Sequence, residues 1–390
     1  MKVKGKSKKG FCFRKTFLFL YRNPYFCIIK KSQRNMSKQY KISVIVPVYN
    51  AESRIYGLIN NLLNQRGADG VEFIFIDDRS ADQSYAILNK FCLLKNFRIL
   101  QTEKNAGPAA CRNVGLDHAS GDYVCFVDDD DKVGEPFGFK NRVFSNMPEL
   151  EGGFFEHMFP LMGESDIILC RRVMIDPATG KVSHCHSSTD HGQIDCRLST
   201  TWQRVLYMHG TQYIVGSLFR REMIVRHNIR FIPGTEPNED AFFGLVAAYH
   251  AKKITTSRNS VYGYYLRPSS LSRHEGKMEH FYKMRLHNNR IVPMLLSYFL
   301  LKNKKYQELC RFVHVFFHTM LRNEGDMYMQ GIDINRYSPF DAFPEMCMTC
   351  KHIDAVSDDS MPCPDAEAFK RFIEATAKKY MPDNFDLNQL

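Results

Sequence analysis

From Lys41 onward, short β-branched runs alternate with stretches of helical periodicity, a pattern that calls for βαβ units and a mostly parallel sheet flanked by helices. Ile42–Val46 reads as the first strand. Asn50 is placed to cap a helix over Glu52–Gln65, in which Ile55, Leu58, Ile59, Leu62 and Leu63 share one apolar face. Val71–Ile76 is the second strand, and Ser80 opens a capping box with Gln83 for a helix through about Leu94. Phe97–Leu100 is the third strand. Gly107-Pro108 leads into a helix ending near Ala119, and Tyr123–Val127 is the fourth strand. Ligands of such sheets gather beyond the carboxyl ends of the strands. Three of those ends carry polar signatures: Pro47-Val48-Tyr49-Asn50, Asp77-Asp78-Arg79-Ser80 and Asp128-Asp129-Asp130-Asp131.

The four aspartates follow directly on an apolar strand. Like charges a few ångströms apart repel, and a partly dry strand end weakens the screening, so a divalent cation is a natural compensation. Carboxylate oxygens suit hard ions such as Mg²⁺ or Mn²⁺, whose coordination is commonly completed by phosphate oxygens. An acidic turn capping the next helix is the alternative for an isolated run of this kind. The polar motifs on the neighbouring strand ends favour the cation.

The second half is less regular. Asp166–Met174 reads as a strand, with a turn at Asp176-Pro177-Ala178-Thr179-Gly180 that suits a hairpin. Ser199–Met208 reads as a helix, Tyr213–Phe219 as a strand and Asn238–His250 as a helix opening with Glu239 and Asp240. After Arg273 the pattern is helical and aromatic to about Arg322. The expected organisation is a tail over 1–35, an α/β domain over 36–275 and a helical C-terminal region over 276–390 that could serve the acceptor or lie near a membrane.

The formal charge of +11 would suggest nucleic acid, but it is unevenly placed. Residues 1–41 hold 13 of the 53 Lys and Arg side chains and no acid, so the remainder carries 40 basic against 42 acidic groups. No nucleic-acid partner is expected of the body. The tail lacks the roughly 20 apolar residues of a spanning helix. Its basic, aromatic-rich composition fits contact with anionic lipid headgroups, which would make the protein cytoplasmic and peripheral on the inner face of a membrane. Alternatively, Met36 is the functional start and residues 1–35 are a disordered extension. Twelve scattered cysteines favour reduced thiols in a cytosolic setting. Cys347, Cys350, His352 and Cys363 offer enough ligands for zinc at irregular spacing, and His184, Cys185, His186, His191 and Cys196 read as a loop rich in His and Cys.

The order and spacing of the three strand-end motifs, with Asn105-Ala106-Gly107-Pro108 and Arg112-Asn113 between them, resemble the nucleotide-binding half of the family 2 glycosyltransferases. The likeness covers about Lys41–Arg273 and is strongest through Lys132. It implies the GT-A fold and nonprocessive transfer of a sugar from a nucleotide diphosphate donor, usually a UDP-sugar, with inversion at the anomeric carbon. It also implies roles. Pro47 and Tyr49 match positions lining the base pocket, and Asp78 matches the carboxylate that accepts a hydrogen bond from uracil. Asp77 is expected to be structural. Asp128 and Asp130 match the acidic positions of the DxD element, the first near ribose or metal and the second on the cation that bridges the diphosphate. Asp129 stands where a small residue is common, which leaves Asp129 and Asp131 as an alternative pair. Asp240 resembles the downstream Glu-Asp element and is the candidate general base, with Glu239 supporting it or touching the acceptor. Arg267, Arg273 or His274 could reach the diphosphate from a lid.

The expected enzyme is thus a hexosyltransferase-like glycosyltransferase that uses Mn²⁺ or Mg²⁺ and acts on a glycan or lipid-linked acceptor, as in surface polysaccharide assembly. A processive synthase would need membrane spans and a Gln-x-x-Arg-Trp element; Thr201-Trp202-Gln203-Arg204 has the wrong order. A sugar nucleotidyltransferase on a related fold would need a Gly-rich triphosphate loop where Pro47-Val48-Tyr49-Asn50 stands. A noncatalytic surface-binding protein would leave the acidic motifs without a purpose.

Overall fold

The computed structural model describes residues 40–134, 153–184, 193–195, 214–235, 239–267 and 294–303, with a few positions between 370 and 387. The alternating pattern folds into β1 (Ile42–Val48), α1 (Ile55–Leu63), β2 (Val71–Asp77), α2 (Ser84–Leu88), β3 (Phe97–Gln101), α3 (Gly107–His118) and β4 (Tyr123–Phe126). Then come β5 (Lys132–Val133), β6 (Ile167–Ile175), β7 (Val182–His184), β8 (Gln193–Asp195), β9 (Leu218–Arg220), α4 (Arg221–Arg226), α5 (Glu239–His250), β10 (Lys253–Tyr265) and helix α6 over 294–302.

The strands form one mixed sheet in the order β3-β2-β1-β4-β9-β6-β10-β5, with β7 on β6 and β8 on β10. Strands β3, β2, β1 and β4 are mutually parallel, as are β6 and β10. Between these blocks β9 runs antiparallel to both β4 and β6. All seven residues of β1 and of β2 are buried, as expected of strands covered on both faces. The expected hairpin forms between β6 and β7 around the Asp176 turn. Of the expected strand over Tyr213–Phe219, only a bridge at Val215 and the end in β9 belong to the sheet among the described residues. No described helix is long and apolar enough to cross a membrane. Residues 1–35, the helix expected at Ser199–Met208, the Cys347–Cys363 group, Arg273 and His274 lie outside the described residues.

Packing fixes α3 closely over the sheet centre. A Cβ on Gly115 would come within 2.3 Å of an Ile45 methyl, so only glycine lets the helix settle at this depth on β1. Asn113, the next turn's neighbour of the core face, exchanges two 2.9 Å hydrogen bonds with the backbone of Phe231. Phe231 in turn stacks on Phe243 of α5 with 4.3 Å between ring centres. These contacts bring the middle of α3 and the start of α5 together above the end of β4.

Two expected helix caps are used differently. Helix α1 starts only at Ile55 and α2 only at Ser84, neither with a side-chain cap on its first turn from Asn50 or Ser80. Instead the Asn50 backbone N–H donates to Ser80 Oγ, and the Ala81 N–H donates to Asn50 Oδ1, at 3.0 and 2.8 Å. The two polar side chains therefore staple the loops after β1 and β2 to each other. Asn50 takes a left-handed backbone (φ 48°) to do so, a conformation asparagine tolerates well. Asp82 replaces Ser80 at the start of α2, accepting the Ser84 N–H at 2.9 Å.

Candidate active site

The acidic run begins two residues beyond the end of β4, at the carboxyl edge of the parallel block, and its four carboxylates turn four different ways. Asp129 turns back to the β1 loop, where it accepts the Tyr49 N–H at 3.0 Å and pairs with Arg54 at 2.8 Å. Asp131 turns into the core, accepting the Tyr262 hydroxyl at 2.7 Å and the Tyr265 N–H at 2.9 Å. Burial first, then Asp130 and Asp128, raise its carboxyl well above the usual range. The Asp128 N–H reaches the same tyrosine hydroxyl at 3.2 Å, so Tyr262 of β10 anchors the run at two points. Asp129 and Asp131 thus have their carboxylates engaged within the protein, whereas among the described residues Asp130 is open and Asp128 is held through one oxygen only, by Arg112.

Asp130 receives no hydrogen bond from another described residue. Its carboxyl is raised by burial and then by Asp128, while Arg54 and Arg267 pull the other way. Among the described residues no group of three or more His, Cys, Asp and Glu side chains is arranged to hold a metal by itself. Asp130, without a hydrogen-bond partner among the described residues, and the second oxygen of Asp128 fit a hard divalent ion that takes its remaining ligands from phosphate and water. Asp128 and Asp130 are the residues that would hold it.

Arg112 joins this acidic end to α5. Its side chain is 3% exposed and lies over the Phe231 ring, 5.4 Å from the centroid. One terminal nitrogen donates to Asp128 at 2.8 Å; the other donates to Glu239 at 2.7 Å and Asp240 at 3.2 Å. One guanidinium therefore ties together Asp128 and Asp240, which lie 112 positions apart in the chain. Burial opposes its charge, but the three carboxylates prevail and keep Arg112 firmly cationic. They still outnumber it. The Asp240 carboxyl is pushed up to about 7 by burial, with Glu239 and Asp128 adding to the rise and Arg112 and Arg172 opposing it. A carboxylate with that proton affinity, 18% exposed at the rim of the cluster, can take a proton near neutral pH. Glu239 Oε2 and Arg112 Nε are buried with no partner among the described residues, which is expected where a ligand or water completes the network.

The base-pocket residues separate into two kinds. Tyr49 is 46% exposed beside the acidic run and offers a ring face for stacking. Pro47 is buried inside β1 opposite Ile76. Beyond Ile45 the β4 ladder has ended, so the missing proline N–H costs no strand hydrogen bond. Asp78 is 4% exposed and engaged within the protein: it accepts the Thr102 hydroxyl and Ala106 N–H at 2.9 Å, the Gly107 N–H at 2.8 Å, and the Cys111 thiol. It orders the loop that opens α3. Asp77 is structural as expected, accepting the Ser80 N–H at 3.2 Å and the Gln101 amide at 2.9 Å. Arg54, Arg112 and Tyr262 were assigned no role in the sequence. For Arg112 the signal was its place in the Arg112-Asn113 motif, three to four residues along α3 from Ala109 and Leu116 on the buried face.

Residues 43–135 match the sequence profile described as Glycosyl transferase family 2. EpsH of Bacillus subtilis (strain 168), a protein named as a glycosyltransferase, is 26% identical over 280 residues, 68% of this chain and 71% of EpsH. The poly(ribitol-phosphate) beta-glucosyltransferase of Bacillus spizizenii is 29% identical over 230 residues, covering 58% of this chain and 32% of that enzyme. The chain therefore spans about one third of that relative. The solved structure of Staphylococcus aureus TarS 1–349 in complex with UDP-GlcNAc superposes with a TM-score of 0.55 at 21% identity, covering 89% of this chain and 94% of the other, a likeness of fold. The matched segment runs from β1 through the acidic run and ends before Glu239 and Asp240. Residues 43–135 thus carry the family 2 glycosyltransferase profile, and the chain has a GT-A-like fold.

Proposed function

We propose that this chain is a metal-dependent, inverting glycosyltransferase that moves a sugar from a nucleotide diphosphate, with UDP-sugars the leading donors, to a hydroxyl of a glycan or lipid-linked acceptor. The observation that carries the reading is the Arg112 bridge, which sets a carboxyl tuned to about 7 beside the acidic edge where a diphosphate would bind. Asp240 takes the proton from the acceptor hydroxyl, whose oxygen forms the new bond to the anomeric carbon from the face opposite the leaving group. The old carbon–oxygen bond breaks, and the nucleoside diphosphate departs with its electron pair. A divalent ion on Asp128 and Asp130 would supply positive charge for the departing diphosphate. Tyr49 offers a stacking surface to the base, and Asp78 holds the Thr102–Gly107 wall next to it. The UDP-GlcNAc complex of TarS, a protein of similar fold, supports a uridine nucleotide donor.

A panel of nucleotide-sugars screened for Mn²⁺-dependent thermal stabilisation tests the donor assignment. A UDP-sugar should stabilise the wild type and not Asp130→Ala. Full metal-dependent turnover in Asp130→Ala would overturn the metal assignment, and no response to any UDP-sugar would overturn the nucleotide.

A further inference from the structure

The loop after β1 is fixed by two side chains that the transfer step itself does not use. Tyr49 and Asn50 present four backbone polar groups, and every one is bonded. Asp129 accepts the Tyr49 N–H at 3.0 Å, and the Ser80 hydroxyl accepts the Asn50 N–H at 3.0 Å. Arg54 serves both carbonyls, donating from Nη2 to Tyr49 O at 3.1 Å and from Nη1 to Asn50 O at 2.8 Å. The same guanidinium closes on Asp129 through Nε at 2.8 Å. Tyr49 therefore has its N–H held by one member of an ion pair and its carbonyl by the other. Its side chain is left open, and the residue is 46% exposed.

Both members of the pair are rooted in rigid structure. Arg54 immediately precedes α1: its N–H donates to Ala51 O at 2.9 Å, and its carbonyl accepts the Leu58 N–H at 3.1 Å. That helix is sunk in the core through Ile55, Leu58, Ile59 and Leu62. Asp129 stands between Asp128 and Asp130, the residues that would hold the cation. The pair thus ties the stacking platform to the acidic edge. An ion pair alone needs one contact, whereas the planar guanidinium here reaches three acceptors, which a single ammonium cannot reproduce. A platform already ordered in the folded chain loses little freedom when a ligand arrives, so more of the stacking energy appears as affinity.

We propose that Arg54 and Asp129 are positioning residues for the donor, holding the Tyr49 ring at a set place relative to the acidic edge so that base and diphosphate are recognised together. This rests on the donor reading given above. The pair selects a nucleotide over a bare diphosphate, and it has no part in the proton transfer.

Isothermal titration of the full chain with UDP and with pyrophosphate, each in Mn²⁺, tests this. Arg54→Lys keeps the charge beside Asp129 and loses the fork. It should weaken UDP about five- to thirtyfold, within the range of one base–aromatic stack, and leave pyrophosphate within about twofold of wild type. Asp129→Asn keeps the shape of the side chain and should favour pyrophosphate in the same sense. In a Tyr49→Ala background, which has no ring to place, Arg54→Lys should cost nothing further in UDP affinity. A general loosening of the fold would instead lower both affinities together. Equal loss of both ligands, unchanged UDP affinity in both single variants, or additive losses in the Tyr49→Ala background would overturn the positioning role while leaving the donor reading intact. Wild-type protein with no preference for UDP over pyrophosphate would overturn the nucleotide reading itself, and this assignment with it.

Discussion

At Asp240 the cost of burying a charge and the demand for a base meet in one carboxyl. Its folded-state value of about 7 lies above that of the unfolded chain, so folding takes up a proton between roughly pH 4 and 7. The sign follows: this group's contribution to stability is best below that window and is lost as pH rises through it. Asp240→Asn should therefore raise the urea midpoint at pH 8, with little change at pH 4, when both are measured with a chelator present. The same variant should lose transfer by about 10²- to 10⁴-fold, the usual contribution of a general base, while keeping donor-induced thermal stabilisation. Wild-type turnover should climb with pH and level off above about 7, and a profile unchanged in Asp240→Asn would remove the residue from the base role. Arg112→Met leaves Asp128, Glu239 and Asp240 without their shared cation and should cost about 3–5 kcal/mol by chemical denaturation. The acidic run could be read from sequence as a charge anomaly at a strand end. Which of its members faces a ligand could not, because that depends on Arg54 and Tyr262, which lie 75 and 131 positions from the aspartates they hold.

The elements that were legible are those whose apolar period repeats over several turns or strand residues. Strands β1 to β4 and helices α1 and α3 fall where the pattern places them, give or take a few residues at their ends. Caps fared worse because Asn and Ser are equally good at bonding a helix start or another loop, and sequence spacing does not show which donor lies closer. Asn50 and Ser80 found each other. Packing depth is a different kind of information, and Gly115 holds it for α3. Gly115→Ala should cost about 1–3 kcal/mol, the usual penalty for one methyl forced into a packed contact. Because Arg112 is one turn away on the same buried face, turnover should fall in this variant even after correction for the unfolded fraction. A variant that loses stability and retains full specific activity would show that the depth of α3 on β1 does not set the Arg112 geometry.

At the scale of the whole molecule, the mixed sheet gives the protein two unlike edges. Parallel strands β1 to β4 bring their loops to one edge, where the acidic centre assembles, and antiparallel β9 carries the chain back to the other, where Arg220 pairs with Asp166. The βαβ alternation foretold the first block, but β9 is only three residues long and gives no periodic signal of its own. Net charge concealed this division, since the excess of +11 resides in residues 1–41. Every residue assigned to donor binding or proton transfer lies between Pro47 and Asp240, and β1 begins at Ile42 with the Lys41 N–H bonded to Gly70 at 2.9 Å. A chain starting at Met36 keeps all of these contacts. It should retain donor-induced stabilisation and turnover within about twofold of the full chain, because removing a terminal segment from a domain whose core lies elsewhere leaves that core intact. If the basic tail engages anionic headgroups, the same truncation should abolish most vesicle pelleting in low salt, as expected when 11 of the 53 Lys and Arg side chains are removed. Loss of turnover with preserved folding would instead give residues 1–35 a part in acceptor capture.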